Sequence, residues 1–113
     1  MTDEEKSEKV ALYDKTSQYF LQVSELRRAY IDSALQIQPD HVNLRQRLSY
    51  SYKKVGDHIK AMEILNKAVS IDTANGKADA LEYRAWTLLY YYRDYEGVVR
   101  DVNLIEKITG NTY

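Results

Sequence analysis

Few residues of this chain have the types and spacing that catalysis requires. The two histidines, His41 and His58, do not form the HExxH spacing of a zinc site. Ser49 and Ser51 have no evident base nearby in the sequence, although a serine nucleophile needs one within hydrogen-bond reach. The four glycines are isolated, so no phosphate-binding loop is formed, and no cysteine is present. The sequence therefore predicts a protein that is not an enzyme and holds no metal or other cofactor.

The composition indicates a single ordinary globular domain. The chain has 113 residues, of which 44% are hydrophobic and 29% are charged. Its net charge of −1 gives no electrostatic reason to expect a nucleic acid or an anionic membrane as the partner. No apolar run approaches the roughly 18–20 residues of a membrane span, and the first nine residues do not resemble a signal peptide. We therefore expect a cytoplasmic location.

Two short amphipathic helices are predicted over residues 44–71. Gly56 can end the first helix with a positive φ, and Asp57 can cap the second. The apolar residues of both helices recur at helical spacing, and they are Leu44, Leu48, Tyr52, Val55, Ala61, Ile64, Leu65, Ala68 and Ile71. A lone helical hairpin cannot bury two such faces, so neighbouring helices are implied.

Two further helices are predicted before this hairpin and two after it. Thr2 and Glu5 fit a capping box for a helix that runs to about Gln22. A second helix begins at Ser24 and ends before Pro39, because the residue before a proline resists the α conformation. The fifth helix is expected at about residues 77–92 and the sixth at about residues 95–108. The ordered chain is expected to end at residues 110–111.

A repeat is visible when the hairpins are overlaid. Residues 33–39, Ser-Ala-Leu-Gln-Ile-Gln-Pro, align with residues 67–73, Lys-Ala-Val-Ser-Ile-Asp-Thr. The alignment places Ala34 and Ala68 34 residues apart. A fixed period of about 20–50 residues indicates a solenoid, in which each hairpin buries its apolar face against the next.

On these residues the chain resembles the tetratricopeptide repeat family. The resemblance is carried by the middle hairpin, at positions where the family has large apolar, small, aromatic, glycine and alanine residues: Leu48, Ser49, Tyr52, Gly56, Ala61, Leu65 and Ala68. It implies an all-α fold, a right-handed α-α superhelix of about three helix-turn-helix repeats within one domain. The repeats would cover about residues 8–41, 42–75 and 79–112. A generic α-α bundle is the alternative.

The outer repeats depart from the family pattern at several positions. Arg27 stands where a small residue is usual and Gln18 where an aromatic is usual, while Trp86 and Val98 replace a small residue and an alanine. In the middle repeat, His58 stands where the family commonly has tyrosine. We expect its ring to pack between repeats.

The resemblance also implies a concave groove lined by the first helix of each repeat. The peptide-binding residues would be Lys9, Tyr13, Asn43, Arg47, Tyr50, Lys54, Tyr83, Arg84, Tyr90 and Tyr91, with Lys53 among the flanking cations and Ala80 and Thr87 also on the lining face. Arginine and lysine attract carboxylates, and tyrosine offers contact area at low entropic cost. We therefore expect the partner to be another protein or a peptide with acidic and apolar side chains, bound by an adaptor or chaperone-like module.

Some family members hold the C-terminal carboxylate of heat-shock chaperones in a clamp of lysine and asparagine residues. Lys9 and Arg84 match that pattern, whereas Tyr13, Arg47 and Ala80 do not. The clamp is therefore incomplete, and a dedicated heat-shock co-chaperone is not expected.

The last helix supports an alternative function. Repeat arrays commonly end in a polar capping helix, and none is recognised after residue 108. Val99, Leu104 and Ile108 are expected to leave apolar surface there, suited to homodimerisation through helices five and six. The chain would then be a structural or oligomerisation domain of a larger regulatory or assembly protein. An RNA-binding helical repeat would need a longer basic stripe.

Overall fold

The computed structural model describes residues 1–110, and helices are the regular structure found among them. They are α1 (Asp3–Ser17), α2 (Glu25–Ile37), α3 (Val42–Lys54), α4 (His58–Ala74), α5 (Asp79–Thr87), a π-helical turn (Leu88–Tyr92) and α6 (Tyr95–Thr109). The all-α prediction is confirmed. The predicted end of order at Gly110–Asn111, and the end of the third repeat at residue 112, reach beyond the described residues.

The capping residues that the sequence indicates set three helix boundaries. The Thr2 hydroxyl accepts a hydrogen bond from the Glu5 N–H at 3.1 Å, and the Glu5 carboxylate accepts one from the Thr2 N–H at 3.3 Å. Gly56 has a φ of 88°, and Asp57 accepts a bond from the Lys60 N–H at 3.2 Å. The glycine therefore ends α3 and the aspartate begins α4.

α1 is shorter than predicted, because it ends at Ser17 and not near Gln22. Buried Arg27 accounts for this end: its Nη1 donates to the carbonyl oxygens of Ser17 at 3.5 Å and Phe20 at 2.9 Å. A cationic donor at a helix C-terminus satisfies carbonyls that have no partner within the helix. The chain then turns as far as Ser24, which caps α2 as predicted.

The predicted fifth helix, 77–92, is interrupted. It begins only at Asp79, beside a hydrogen bond of 2.8 Å from the Ala80 N–H to the buried carboxylate of Asp72. After Thr87 the helix widens into the π-helical turn, a local form that is often found at functional sites. Arg93 ends this turn in the left-handed conformation, with a φ of 54°.

Two apolar clusters form the core, and α4 contributes to both. The first joins α1 to α4 through Val10, Ile31, Ala34, Leu35, Leu44, Leu48 and Ile64. The second joins α4 to α6 through Ala68, Val69, Ala78, Ala80, Leu81, Ala85 and Ile105. The alanines that define the sequence period, Ala34 and Ala68, are both fully buried. Successive hairpins thus stack as a helical repeat, and the handedness of the superhelix stays a prediction.

Candidate functional site

Four aromatic rings surround the ammonium group of Lys53. The Lys53 Nζ lies 4.8 Å from the ring centroid of Tyr50, 5.7 Å from Tyr83, 5.3 Å from Trp86 and 4.7 Å from Tyr91. Distances under about 6 Å bring a cation within range of the negative face of a ring. Lys53 and Tyr50 lie on α3, whereas the other three rings are carried by α5 and the π-helical turn. We call these four rings the Lys53 cage.

Lys53 is buried, with only 3% of its surface exposed. Burial lowers the pKa of its ammonium group, and the charge of Lys54 lowers that pKa further. The ring faces act in the opposite sense, because they stabilise the charged form. The sequence predicts Lys53 as a groove cation, whereas in the structure it is a packing residue whose charge is engaged by the four rings.

An exposed aromatic surface continues outward from the cage. The ring centroid of Trp86 lies 5.7 Å from that of Tyr90 and 6.3 Å from that of Tyr83. Trp86, Tyr90 and Tyr91 are 48%, 65% and 43% exposed, respectively. We call these three residues the aromatic patch. Two of them, Tyr90 and Tyr91, were predicted as groove residues, and the structure brings them together with Tyr50 and Tyr83.

His58 packs between repeats, as predicted. Its Nδ1 lies 2.7 Å from the hydroxyl oxygen of Tyr92, and its ring centroid lies 5.8 Å from that of Tyr91. The histidine thereby joins the start of α4 to the π-helical turn, which carries part of the aromatic patch.

Arg47 pairs with an aspartate of the first hairpin. Its Nη2 donates to the Asp14 carboxylate, and about a quarter of each side chain remains exposed (27% and 29%). Burial raises the pKa of Asp14, but hydrogen bonds from Arg47 and Gln18 and the positive charge of Arg47 outweigh it and leave that pKa below its ordinary value. The carboxylate is therefore held ionised against Arg47.

A cavity of about 230 Å³ opens beside this ion pair. It is lined by Gln22, Arg27, Gln46, Arg47, Tyr50 and Tyr83. Arg27 is 8% exposed. Its pKa is lowered by burial and then by the positive charge of Arg47, while Asp14 raises it. Two guanidinium groups thus lie close together in a partly enclosed space.

Arg84 faces other helices. Its Nε and Nη2 donate to the two carboxylate oxygens of Asp101 at 2.9 and 2.7 Å, and its Nη1 donates to the Asn66 side-chain oxygen at 3.1 Å. Those partners lie on α6 and α4, so the guanidinium is held between α4, α5 and α6. The structure does not bring it to the cavity with Arg47.

The remaining predicted groove residues divide by exposure. Lys9, Asn43 and Lys54 are exposed, and Tyr13 is half-buried against the first apolar cluster. Ala80 and Thr87, which were placed on the same lining face, are 0% and 2% exposed and belong to the interior. Of the aromatic residues of α5, Trp86 is exposed and Tyr83 is half-buried, and Asp79 and Glu82 of the same helix are also exposed.

The residues predicted for self-association lie on α6. Val99 is 59% exposed and Leu104 is 38% exposed. Ile108 is half-buried and packs against the second apolar cluster, so part of its apolar surface is already covered within the chain.

Sequence reasoning missed two residues of the cavity, Gln22 and Arg27. Gln22 was assigned to α1, but it lies in the turn after that helix. Arg27 gave a signal, because a long cation stood where the family has a small residue. A departure of this kind predicts a change in packing and does not by itself indicate a site.

Residues 1–110 contain no group of histidine, aspartate or glutamate side chains with an arrangement that would hold a metal ion. None of the described helices is long and apolar enough to cross a lipid bilayer.

Comparison with protein families gives a match for the middle hairpin. Residues 42–75 match the family model described as Tetratricopeptide repeat. These residues span α3 and α4, which supply Tyr50, Lys53 and His58. Such repeats generally mediate protein–protein interactions and are typically non-catalytic. No curated protein and no solved structure matches the chain.

Proposed function

Because this chain is a tetratricopeptide repeat protein, matched over residues 42–75, we propose that it is a non-catalytic adaptor or chaperone-like module. It binds a peptide segment of another protein along the face that α3 shares with α5 and the π-helical turn.

The aromatic patch is the observation that carries this proposal. Trp86, Tyr90 and Tyr91 are all more than two-fifths exposed; Trp86 contacts Tyr90 ring to ring and shares the Lys53 ammonium group with Tyr91. Tyrosine and tryptophan supply large, rigid contact surfaces, and they are enriched among the residues that dominate binding energy. The cavity of about 230 Å³ adjoins the Lys53 cage at Tyr50 and Tyr83 and gives this face a concave part.

The charges on this face refine the partner's chemistry. Arg84 and Lys53 are engaged within the chain, which leaves fewer free cations than the sequence predicts. Lys54 is exposed, with its Nζ 5.3 Å from the ring centroid of Tyr50. The proposed peptide is therefore mainly apolar or aromatic, with a small number of acidic side chains.

Selection from a phage-displayed peptide library tests the function. We expect enriched apolar peptides whose binding falls at least about tenfold in Trp86→Ala or Tyr90→Ala, as for an aromatic anchor. Tyr95→Ala is the matched control, because Tyr95 is 58% exposed but begins α6, outside the patch. Failure to enrich any peptide, or equal losses in the control, would contradict the proposal.

The exposed apolar side chains of α6 favour a second candidate, self-association of an oligomerisation domain. Val99 and Leu104 are the residues concerned. Analytical ultracentrifugation of the wild type and of Val99→Asp/Leu104→Asp tests it. A concentration-dependent dimer that the double variant abolishes would support this candidate, and a wild-type monomer at high concentration would exclude it.

A further inference from the structure

Arg27 is fixed in place by one end of its guanidinium group. Its Nη1 donates to the carbonyl oxygens of Phe20 at 2.9 Å and Ser17 at 3.5 Å, at the end of α1. Its Nε is buried. Among residues 1–110 that Nε has no hydrogen-bond acceptor. Buried N–H donors without a partner are rare and need an explanation.

Arg47 shows the same feature across the cavity. Its Nη2 binds Asp14, but its Nε is also buried and has no acceptor within the described chain. Arg27 and Arg47 both line the cavity of about 230 Å³. Both arginines that line this cavity, one on α2 and one on α3, therefore have a buried N–H donor without a partner.

The charges around the cavity are unbalanced. The six lining residues include two guanidinium groups and no carboxylate, and Asp14 contacts Arg47 from outside the lining. Burial, followed by the charge of Arg47, lowers the pKa of Arg27, as expected for two cations brought together. An anion in the cavity would relieve this repulsion and accept hydrogen bonds from the guanidinium groups that line it.

We propose that this cavity, the Arg27–Arg47 pocket, binds the carboxylate of one aspartate or glutamate side chain of the bound segment. The assignment rests on the proposed function. A volume of about 230 Å³ suits one side chain, being below the roughly 300–1,000 Å³ of sites for larger ligands. Guanidinium groups bind carboxylates with short, charge-assisted hydrogen bonds, and the Gln22 and Gln46 amides add neutral donors. The aromatic rings of Tyr50 and Tyr83 form the wall shared with the Lys53 cage.

Titration calorimetry with the selected peptides tests the pocket. In each peptide, every Asp or Glu is replaced in turn by Asn or Gln. We expect one acidic position whose replacement weakens binding to the wild type at least about tenfold, and no such loss with Arg47→Gln. Arg45→Gln is the matched control, because Arg45 lies on the same helix and its Nε donates to the Pro39 carbonyl oxygen at 2.7 Å.

An NMR readout on the wild type keeps the test independent of how the variants fold. The Nε–H signals of Arg27 and Arg47 should both shift when the selected peptide is added, and the Arg45 signal should not. Peptides that bind without dependence on any acidic residue would overturn the pocket and leave the proposed function intact. A library that yields no peptide would overturn both. Inorganic phosphate that shifts the same two signals and displaces the peptide at equal concentration would assign the pocket to a free anion and overturn the proposal.

Discussion

Arg47 and Arg84 occupy equivalent positions of α3 and α5, but their guanidinium groups differ in how completely they are paired. Each is the sixth residue of its helix, counted from Val42 and Asp79, and each pairs with an aspartate. All three guanidinium nitrogens of Arg84 have partners within the chain, whereas the Nε of Arg47 is buried without one. An arginine at the same helix position therefore has all its guanidinium nitrogens paired within the chain on α5 and keeps an unpaired Nε on α3.

Lys53 shows a third arrangement, which differs from those of both arginines. It is more deeply buried than either arginine and is compensated by ring faces in place of a carboxylate. Cation–ring contacts leave the charge without a directional partner. Net charge alone therefore does not identify the cations that are available to a partner.

Arg84→Ala should have the largest effect on stability. It removes both hydrogen bonds to Asp101, which is 4% exposed and would remain as an uncompensated buried charge. Loss of one partner of a buried ion pair costs about 3 kcal/mol or more in unfolding free energy. Urea unfolding measures it, and Arg84→Met/Asp101→Leu should recover much of the loss. A loss below about 1 kcal/mol would mean that the Arg84 pair is as open to solvent as the Arg47 pair.

Lys53→Ala should come next. The side chain is enclosed by four rings, so truncation leaves a cavity and removes the cation–ring contacts. We expect a loss of about 2 kcal/mol, as for truncation of a long buried side chain. Lys54→Ala is the control, because Lys54 is the exposed neighbour, and its loss should stay within about 0.5 kcal/mol. Equal losses at both positions, measured by urea unfolding, would show that Lys53 is not held by the cage.

Local signals predicted the helices well, because they depend on adjacent residues. Thr2 needs only Glu5 to complete its capping box, and Gly56 and Asp57 act within one turn of each other. The predicted end of α1, near Gln22, is wrong because this boundary depends on a residue that is distant along the chain. It depends on Arg27, which lies on the next helix and reaches back to carbonyls that no local pattern marks.

The candidate site was predictable only in part. Helical spacing and the family resemblance together placed Tyr50, Tyr83, Tyr90 and Tyr91 on one face. The state of the cations depends on contacts distant in sequence. Asp101 lies 17 residues after Arg84, and Asp14 lies 33 residues before Arg47. A one-dimensional pattern gives the charge of such a residue but not its partner.

Arg47→Ala should destabilise the fold less than Arg84→Ala. Its partner Asp14 keeps 29% of its side chain exposed, so water can replace the lost hydrogen bond. We expect a loss of about 1 kcal/mol in urea unfolding. The same variant should lose the peptide's preference for an acidic side chain. A loss as large as that of Arg84→Ala, with unchanged peptide preference, would make Arg47 a purely structural residue.

The pH dependence of stability provides the smallest and most specific test. Against the opposing effect of burial, the hydrogen bond from Arg47 holds the pKa of Asp14 below its ordinary value, so folded Asp14 stays ionised at pH values where the unfolded chain is protonated. This contribution is complete above about pH 4 and is lost as the pH falls through the folded pKa. Asp14→Asn should therefore lose less stability than the wild type on acidification, by less than about 1 kcal/mol because solvent screens the pair. Exposed Asp40→Asn is the control in urea unfolding at stepped pH. An Asp14→Asn profile parallel to that of the wild type would mean that the carboxylate does not depend on Arg47, and that the guanidinium is freer for a ligand than the ion pair implies.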